Sequence, residues 1–169
     1  MTTQAYIAFG SNLGDRQANI QNALQCLNQE NDFSLLRISP VYQTEPIGFT
    51  VDVPPFYNGV VEIKVNCSAK QLLDILMRIE NQMGRTRDAS QEYSSRPIDL
   101  DILLFGGQTI DQPNLQIPHP KMLQRWFVLK PLVDLSPQLK IPGYDITMVE
   151  ALAQLSPQTA LSEPIVITI

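Results

Sequence analysis

The stretch Arg96-Pro97-Ile98-Asp99-Leu100-Asp101-Ile102-Leu103-Leu104-Phe105 constrains this chain more than any other. It reads as an apolar strand interrupted by two carboxylates two residues apart. Along an extended strand alternate side chains share a face and stand roughly 6 to 7 Å apart at the backbone, so both acids can grip one divalent cation or a pair. Ile98, Leu100, Ile102 and Leu104 are then expected to point the other way, into a core. Burying unpaired charge is costly, so something positive must face Asp99 and Asp101. Arg96, just upstream, and Arg85 and Arg87, across a short polar loop, supply fixed charge. A metal carrying a polyphosphate would account for all five residues together, whereas a strand Asp beside an Arg, taken alone, also fits a plain edge ion pair.

A length of 169 residues suits one domain, 1–169, able to bury a core without disulfides. The 44% hydrophobic content with 17% charged residues is that of a globular protein, and no apolar run is long enough to cross a bilayer. Met1-Thr2-Thr3-Gln4 lacks the basic and apolar regions of a secretory signal, so a cytoplasmic location is expected. Cys26 and Cys67 have no metal-ligand spacing and are expected to be reduced packing residues. A net charge of −5 argues against broad contact with nucleic acid, which needs a basic surface. Yet Arg78, Arg85, Arg87 and Arg96 are four of the seven arginines and crowd one short segment, a pattern that suits a small polyanion.

Strand and helix signals alternate. Ala5–Ser11 reads as a strand, and Asp15 can cap a helix with Ile20, Ala23, Leu24 and Leu27 at helical spacing. Phe33–Thr44 and Tyr57–Val65 read as strands, separated by a loop holding Pro46, Gly48, Pro54 and Pro55. Ser68 opens a second helix with Gln71 three positions on, Leu72, Leu76, Ile79 and Met83 form its stripe, and Gly84 stops it. The strand with the two acids follows. The order β-α-β-β-α-β predicts an α+β fold of ferredoxin-like type, an antiparallel sheet with helices on one face. A C-terminal extension, broken by Pro118, Pro131 and Pro137, carries helical stretches near Lys121–Val133 and Thr147–Leu155. Such a fold hosts enzymes, RNA binders and regulatory modules alike.

Three further groups bear on chemistry. Gly10-Ser11-Asn12-Leu13-Gly14 lacks the spacing of a phosphate or dinucleotide loop and reads as a turn. Glu80-Asn81-Gln82-Met83-Gly84-Arg85-Thr86-Arg87 ends a helix and projects two arginines into the loop that runs to Ser95. Ile117-Pro118-His119-Pro120 holds the only histidine, closely followed by Arg125, Trp126 and Phe127.

In combination these segments resemble the 6-hydroxymethyl-7,8-dihydropterin pyrophosphokinases of folate biosynthesis. The resemblance runs through Tyr6-Ile7-Ala8-Phe9-Gly10-Ser11-Asn12-Leu13, Tyr42-Gln43-Thr44-Glu45-Pro46, Phe56-Tyr57-Asn58 and Arg78-Ile79-Glu80. It continues in Gly84-Arg85-Thr86-Arg87, Arg96-Pro97-Ile98-Asp99-Leu100-Asp101-Ile102, Pro118-His119 and Arg125-Trp126-Phe127. It implies transfer of pyrophosphate from ATP to the hydroxymethyl oxygen of a reduced pterin, with release of AMP. Asp99 and Asp101 would hold two magnesium ions, and Arg85 and Arg96 would complete the catalytic set. Glu80, Arg85, Arg87, Tyr93, Arg96, Ile102, His119 and Arg125 match nucleotide-binding positions. Phe56 and Phe127 would sandwich the pterin, with Asn58, Asp99 and groups at Thr44, Glu45 and Ile47 completing its recognition. The partners implied are small molecules only, with no nucleic acid or membrane, and the chain is expected to be a monomer.

Two departures stand out. Tyr93-Ser94-Ser95-Arg96 occupies the place where the family usually carries an aromatic residue followed by Gly-Pro-Arg, and Pro120 replaces an aromatic residue common after the histidine. A regulatory ligand-binding module would need neither the paired acids nor the arginine cluster. An RNA-binding domain is disfavoured by the acidic balance and by the lack of an aromatic-rich RNA-binding strand.

Overall fold

The computed structural model describes residues 2–49, 52–84, 95–156 and 163–167. In chain order the main elements are β1 (Thr3–Ser11), α1 (Arg16–Gln29), β2 (Phe33–Ile38), β3 (Tyr42–Thr44), β4 (Phe56–Val65), α2 (Ala69–Gln82) and β5 (Asp99–Phe105). The antiparallel sheet has the order β2-β4-β1-β5, with β3 also pairing with β4. Helix α1 therefore joins β1 to β2 across β4, and α2 joins β4 to β5 across β1, a split β-α-β arrangement in an α+β sheet.

The helix signals are realised where the sequence places them. Asp15 accepts a hydrogen bond from the Ala18 N–H at 3.0 Å, and Ser68 and Gln71 form a reciprocal capping box. Ile20, Leu24 and Leu27 of α1 and Leu72, Leu76 and Ile79 of α2 are fully buried against one face of the sheet. Gly84 ends α2 with φ at +85°, a conformation open to glycine at no steric cost.

Four features differ from expectation. Phe33–Thr44 is two strands rather than one, because Pro40 has no N–H for the ladder and the Ser39 hydroxyl instead accepts from the Val60 N–H at 2.9 Å. Helices also cover both faces, not one. Adjacent residues Val60 and Val61 of β4 are both fully buried but in different clusters, so the second face is apolar too. It is covered in part by α3 (Trp126–Leu135) and α4 (Met148–Ala153).

The third difference lies in β5. Ile98, Leu100 and Ile102 enter the α1–α2 core as expected, but Leu104 joins the α3–α4 side. The pairing with β1 slips there: Ile7 faces Ile102 and Tyr6 faces Leu104, leaving Leu103 as an extra residue. Finally, the stretch expected as a helix from Lys121 opens as a 3-10 turn, Met122–Gln124, and breaks at Arg125, which is extended at φ −119° and ψ 107°. Pro131, expected as a breaker, sits inside α3, where it removes the N–H that would have bonded the Phe127 carbonyl. A hairpin of β6 (Ile110–Gln112) and β7 (Leu115–Ile117), which the sequence signals did not reveal, leads the chain from β5 to the histidine. Among the described residues no helix is long and apolar enough to cross a membrane.

Candidate active site

The part of the second face that α3 leaves uncovered is the floor of a pocket of about 500 Å³. Strand register builds it. Gly10 of β1 stands opposite Asn58 of β4 on one side and Asp99 of β5 on the other, and Ala8 stands opposite Asp101. One row across three strands thus reads amide, glycine, carboxylate. A β-carbon on Gly10 would lie 2.8 Å from Asn58 Oδ1, so the floor between amide and acid is kept low by the absence of a side chain.

At the acidic end Arg96 Nη1 lies 3.3 Å from Asp99 Oδ2. Arg96 is delivered there by Asn12, whose Oδ1 accepts from the Arg96 N–H at 2.9 Å and whose own N–H donates to the Arg96 carbonyl at 3.2 Å. Asn12 Nδ2 also donates to Ser95 Oγ at 3.2 Å. Of the Gly10–Gly14 segment, expected as a turn, Gly10 and Ser11 instead end β1, and Asn12 just beyond them clamps the start of the acidic segment. Arg96 Nε is buried and has no hydrogen-bond acceptor among the described residues, an arrangement that calls for an anion.

His119 is held from two sides. Its N–H donates to the carbonyl of the extra residue Leu103 at 3.0 Å, and its Nδ1 accepts from the Lys121 N–H at 3.1 Å. The proton of the neutral ring therefore sits on Nε2, 4.0 Å from Asp101 Oδ2. Burial and the nearby Arg125 guanidinium push the imidazole down to about 4, against the opposing pull of Asp99, with Lys121 adding to the depression. The ring is neutral at pH 7.

The other end is aromatic. Phe56 and Phe127 line it, and Phe49 adds a third ring, 5.9 Å from Phe56 and tilted by 48°. The Arg125 guanidinium lies 5.6 Å from the centre of the Phe127 ring. Asn58 Nδ2 donates to Thr44 Oγ1 at 2.7 Å, which turns the amide so that its Oδ1 faces Gly10.

The pocket thus gathers Thr44, Glu45, Ile47, Phe56, Asn58, Arg96, Asp99, Asp101, His119, Arg125 and Phe127. Glu80 and Ile102 are not on its lining. Glu80 is buried behind β5, where its Oε1 accepts from the Leu100 N–H at 2.7 Å, and Ile102 packs into the α1–α2 core. Arg85, Arg87 and Tyr93 lie outside the described residues. Sequence reasoning missed Gly10 as floor, Phe49, and Lys121 and Gln124 on the rim. Phe49 lies among loop prolines and glycines that carry no strand or helix signal, and Gly10 becomes meaningful only once its two cross-strand neighbours are known.

Two carboxylates beside an arginine, continuous with a ring-walled slot bearing an amide, suit a transferase that joins a polyanionic donor to a flat acceptor. Residues 6–137 match the family described as 7,8-dihydro-6-hydroxymethylpterin-pyrophosphokinase (HPPK). The 2-amino-4-hydroxy-6-hydroxymethyldihydropteridine pyrophosphokinase of Pseudomonas aeruginosa is 43% identical over 142 residues, 84% of this chain and 86% of that protein. The protein of the same name from Bacillus subtilis is 40% identical over 140 residues, 83% of this chain and 82% of that one. The chain belongs to this HPPK family. Among solved structures, wild-type Plasmodium falciparum HPPK-DHPS with pteroate superposes with a TM-score of 0.72 at 17% identity, covering 91% of this chain. The chain spans only 42% of that longer one, and the likeness bears on fold alone.

Proposed function

We propose that the pocket carries out the family's reaction with the residues described above: pyrophosphate passes from ATP to the hydroxymethyl oxygen of 6-hydroxymethyl-7,8-dihydropterin, an ATP-dependent step of folate synthesis. The acceptor oxygen bonds to the β-phosphorus and gives up its hydroxyl proton to water, the bond from that phosphorus to the oxygen bridging it to the α-phosphate breaks, and AMP leaves with the electron pair. Such transfers depend on alignment and charge compensation, so no covalent nucleophile on the protein is needed.

The observation that carries the reading is the row Asn58–Gly10–Asp99. The row puts an amide and a carboxylate on one floor with no side chain between them, a layout that suits reading a flat ring at one end and holding phosphate at the other. Phe56 and Phe127 would stack the pterin, with Asn58, Thr44, Glu45 and Ile47 reading its edge. Arg96, whose Nε is buried without an acceptor among the described residues, would bind the polyphosphate and offset charge as the bridge breaks. His119, neutral and presenting Nε2–H, would donate to a phosphate oxygen, and Arg125 would support the nucleotide. By family resemblance Arg85, Arg87 and Tyr93 belong to the nucleotide half as well, whereas Glu80, holding the Leu100 N–H, and Ile102, in the core, would only support β5 from behind.

Asp99 and Asp101 fit a divalent cation that is completed by its substrate. No set of three or more His, Cys, Asp or Glu side chains placed for a metal occurs among the described residues. Magnesium is commonly held by one or two carboxylates plus substrate phosphates and waters. Bound there as one ion or two, it would supply charge neutralisation for the triphosphate. We further propose that residues 1–169 act as one domain, monomeric and cytoplasmic. Incubating the purified protein with ATP, magnesium and the hydroxymethyl pterin should release AMP in proportion to pterin consumed. Formation of ADP instead, or nucleotide turnover that ignores the pterin, would refute the assignment.

A further inference from the structure

Beyond the family-matched residues 6–137, residues 163–167 run back along the sheet as a strap. Val41 N–H donates to the Ile165 carbonyl at 2.8 Å, and Ile165 N–H donates to the Val41 carbonyl at 2.9 Å. Ile167 is buried in the α1–α2 core and Ile165 packs at its edge, while Val166 between them is exposed. That alternation is the mark of an extended segment with one face on a core.

The strap meets the sheet at a weak point. Pairing with β4 lapses between Ile38, opposite Val61, and Tyr42, opposite Asn58. Val41 falls in this gap, fully buried, directly after Pro40. Its N–H and its carbonyl both find their partner in Ile165, and a buried backbone group left without one is strongly disfavoured. Of the three residues that follow, Thr44 lines the pocket. Tyr42 donates its hydroxyl to Asp134 Oδ2 at 2.6 Å and meets Trp126 edge-on at 5.4 Å, and Thr44 Oγ1 accepts from Asn58.

We infer that residues 163–167 are a positioning element for the acceptor end of the pocket: by satisfying Val41 they fix Tyr42–Thr44, and through Thr44 the amide of Asn58. The hold on Tyr42–Thr44 stands on the hydrogen bonds alone; its effect on the pterin rests on the proposed function.

The test uses the full chain with Ile167→Ala, Ile165→Pro and, as a control on the exposed face, Val166→Asp. Below their melting temperatures the first two should speed hydrogen exchange at the Val41 amide and at residues 42–44, and shift the emission of Trp126, the only tryptophan. They should raise KM for the pterin about tenfold by adding the ordering of a short segment to binding, with KM for ATP and kcat nearly unchanged. The control should behave as the parent does. If Val41 exchanges freely while residues 42–44 and the pterin KM stay as in the parent, the strap is a stability element only and the inference is wrong. In the unaltered chain, saturating pterin should slow exchange at Val41, because coupling between two sites is reciprocal. No slowing there overturns the inference even if both variants fail to fold. Absence of any pterin binding would count against the proposed function instead, leaving exchange at residues 42–44 to decide the strap's role.

Discussion

Asp99 and Asp101 share a face but not a role. Asp99 is the more buried of the two and leans on Arg96, whereas 41% of the Asp101 side chain is open to solvent. Asp101→Asn keeps the shape and removes the charge, so turnover should fall at least about 100-fold, the scale of losing one well-placed electrostatic partner. The melting temperature should barely move, and AMP release alongside a thermal melt checks both. His119 gives a pH signature. Its folded value of about 4 lies below its ordinary 6.5, so the unfolded chain takes up a proton that the folded chain refuses. The stabilisation is complete above about pH 6.5 and is lost as pH falls towards about 4. In metal-free protein, His119→Gln should flatten that part of the stability–pH curve, measured by denaturant unfolding at each pH. The residues that announce themselves in sequence are those whose chemistry is unusual for their element, such as two acids in an apolar strand. Asn12 looked like an ordinary turn residue because its partners, Ser95 and Arg96, stand more than eighty positions away.

At the level of elements, helices were read more fully than strands. Capping and the 3.6-residue stripe are local, and Asp15, Ser68–Gln71 and Gly84 act within a few residues of themselves. Strand partnership is not local: nothing near Gly10 in sequence says that it will stand between Asn58 and Asp99. The break at Pro40 and the slip at Leu103 likewise depend on what β4 and β1 present opposite them. Gly10→Ala probes the row directly. With its β-carbon 2.8 Å from Asn58 Oδ1, the amide must turn, and KM for the pterin should rise by about tenfold while nucleotide affinity holds. Fluorescence titration with each ligand separates the two.

For the whole molecule, the sheet divides labour between its faces. The α1–α2 face is a closed apolar core, and the other face is shared between α3, α4 and the pocket. Leu76→Ala, in the closed core, should cost about 2–5 kcal/mol of stability and leave both KM values unchanged below the melting transition. Denaturant unfolding and steady-state kinetics on the same preparation would show it. Leu103 marks where the two duties meet along a single strand. Before it, β5 alternates between pocket and core; after it, both directions face packed side chains, and the carbonyl at the crossover steadies the histidine. Deleting that one residue would let β1 and β5 pair without the slip, with Leu104 still on the α3–α4 side, but it would strand His119 without its anchor, so a deletion here should be far harder to tolerate than a change of side chain.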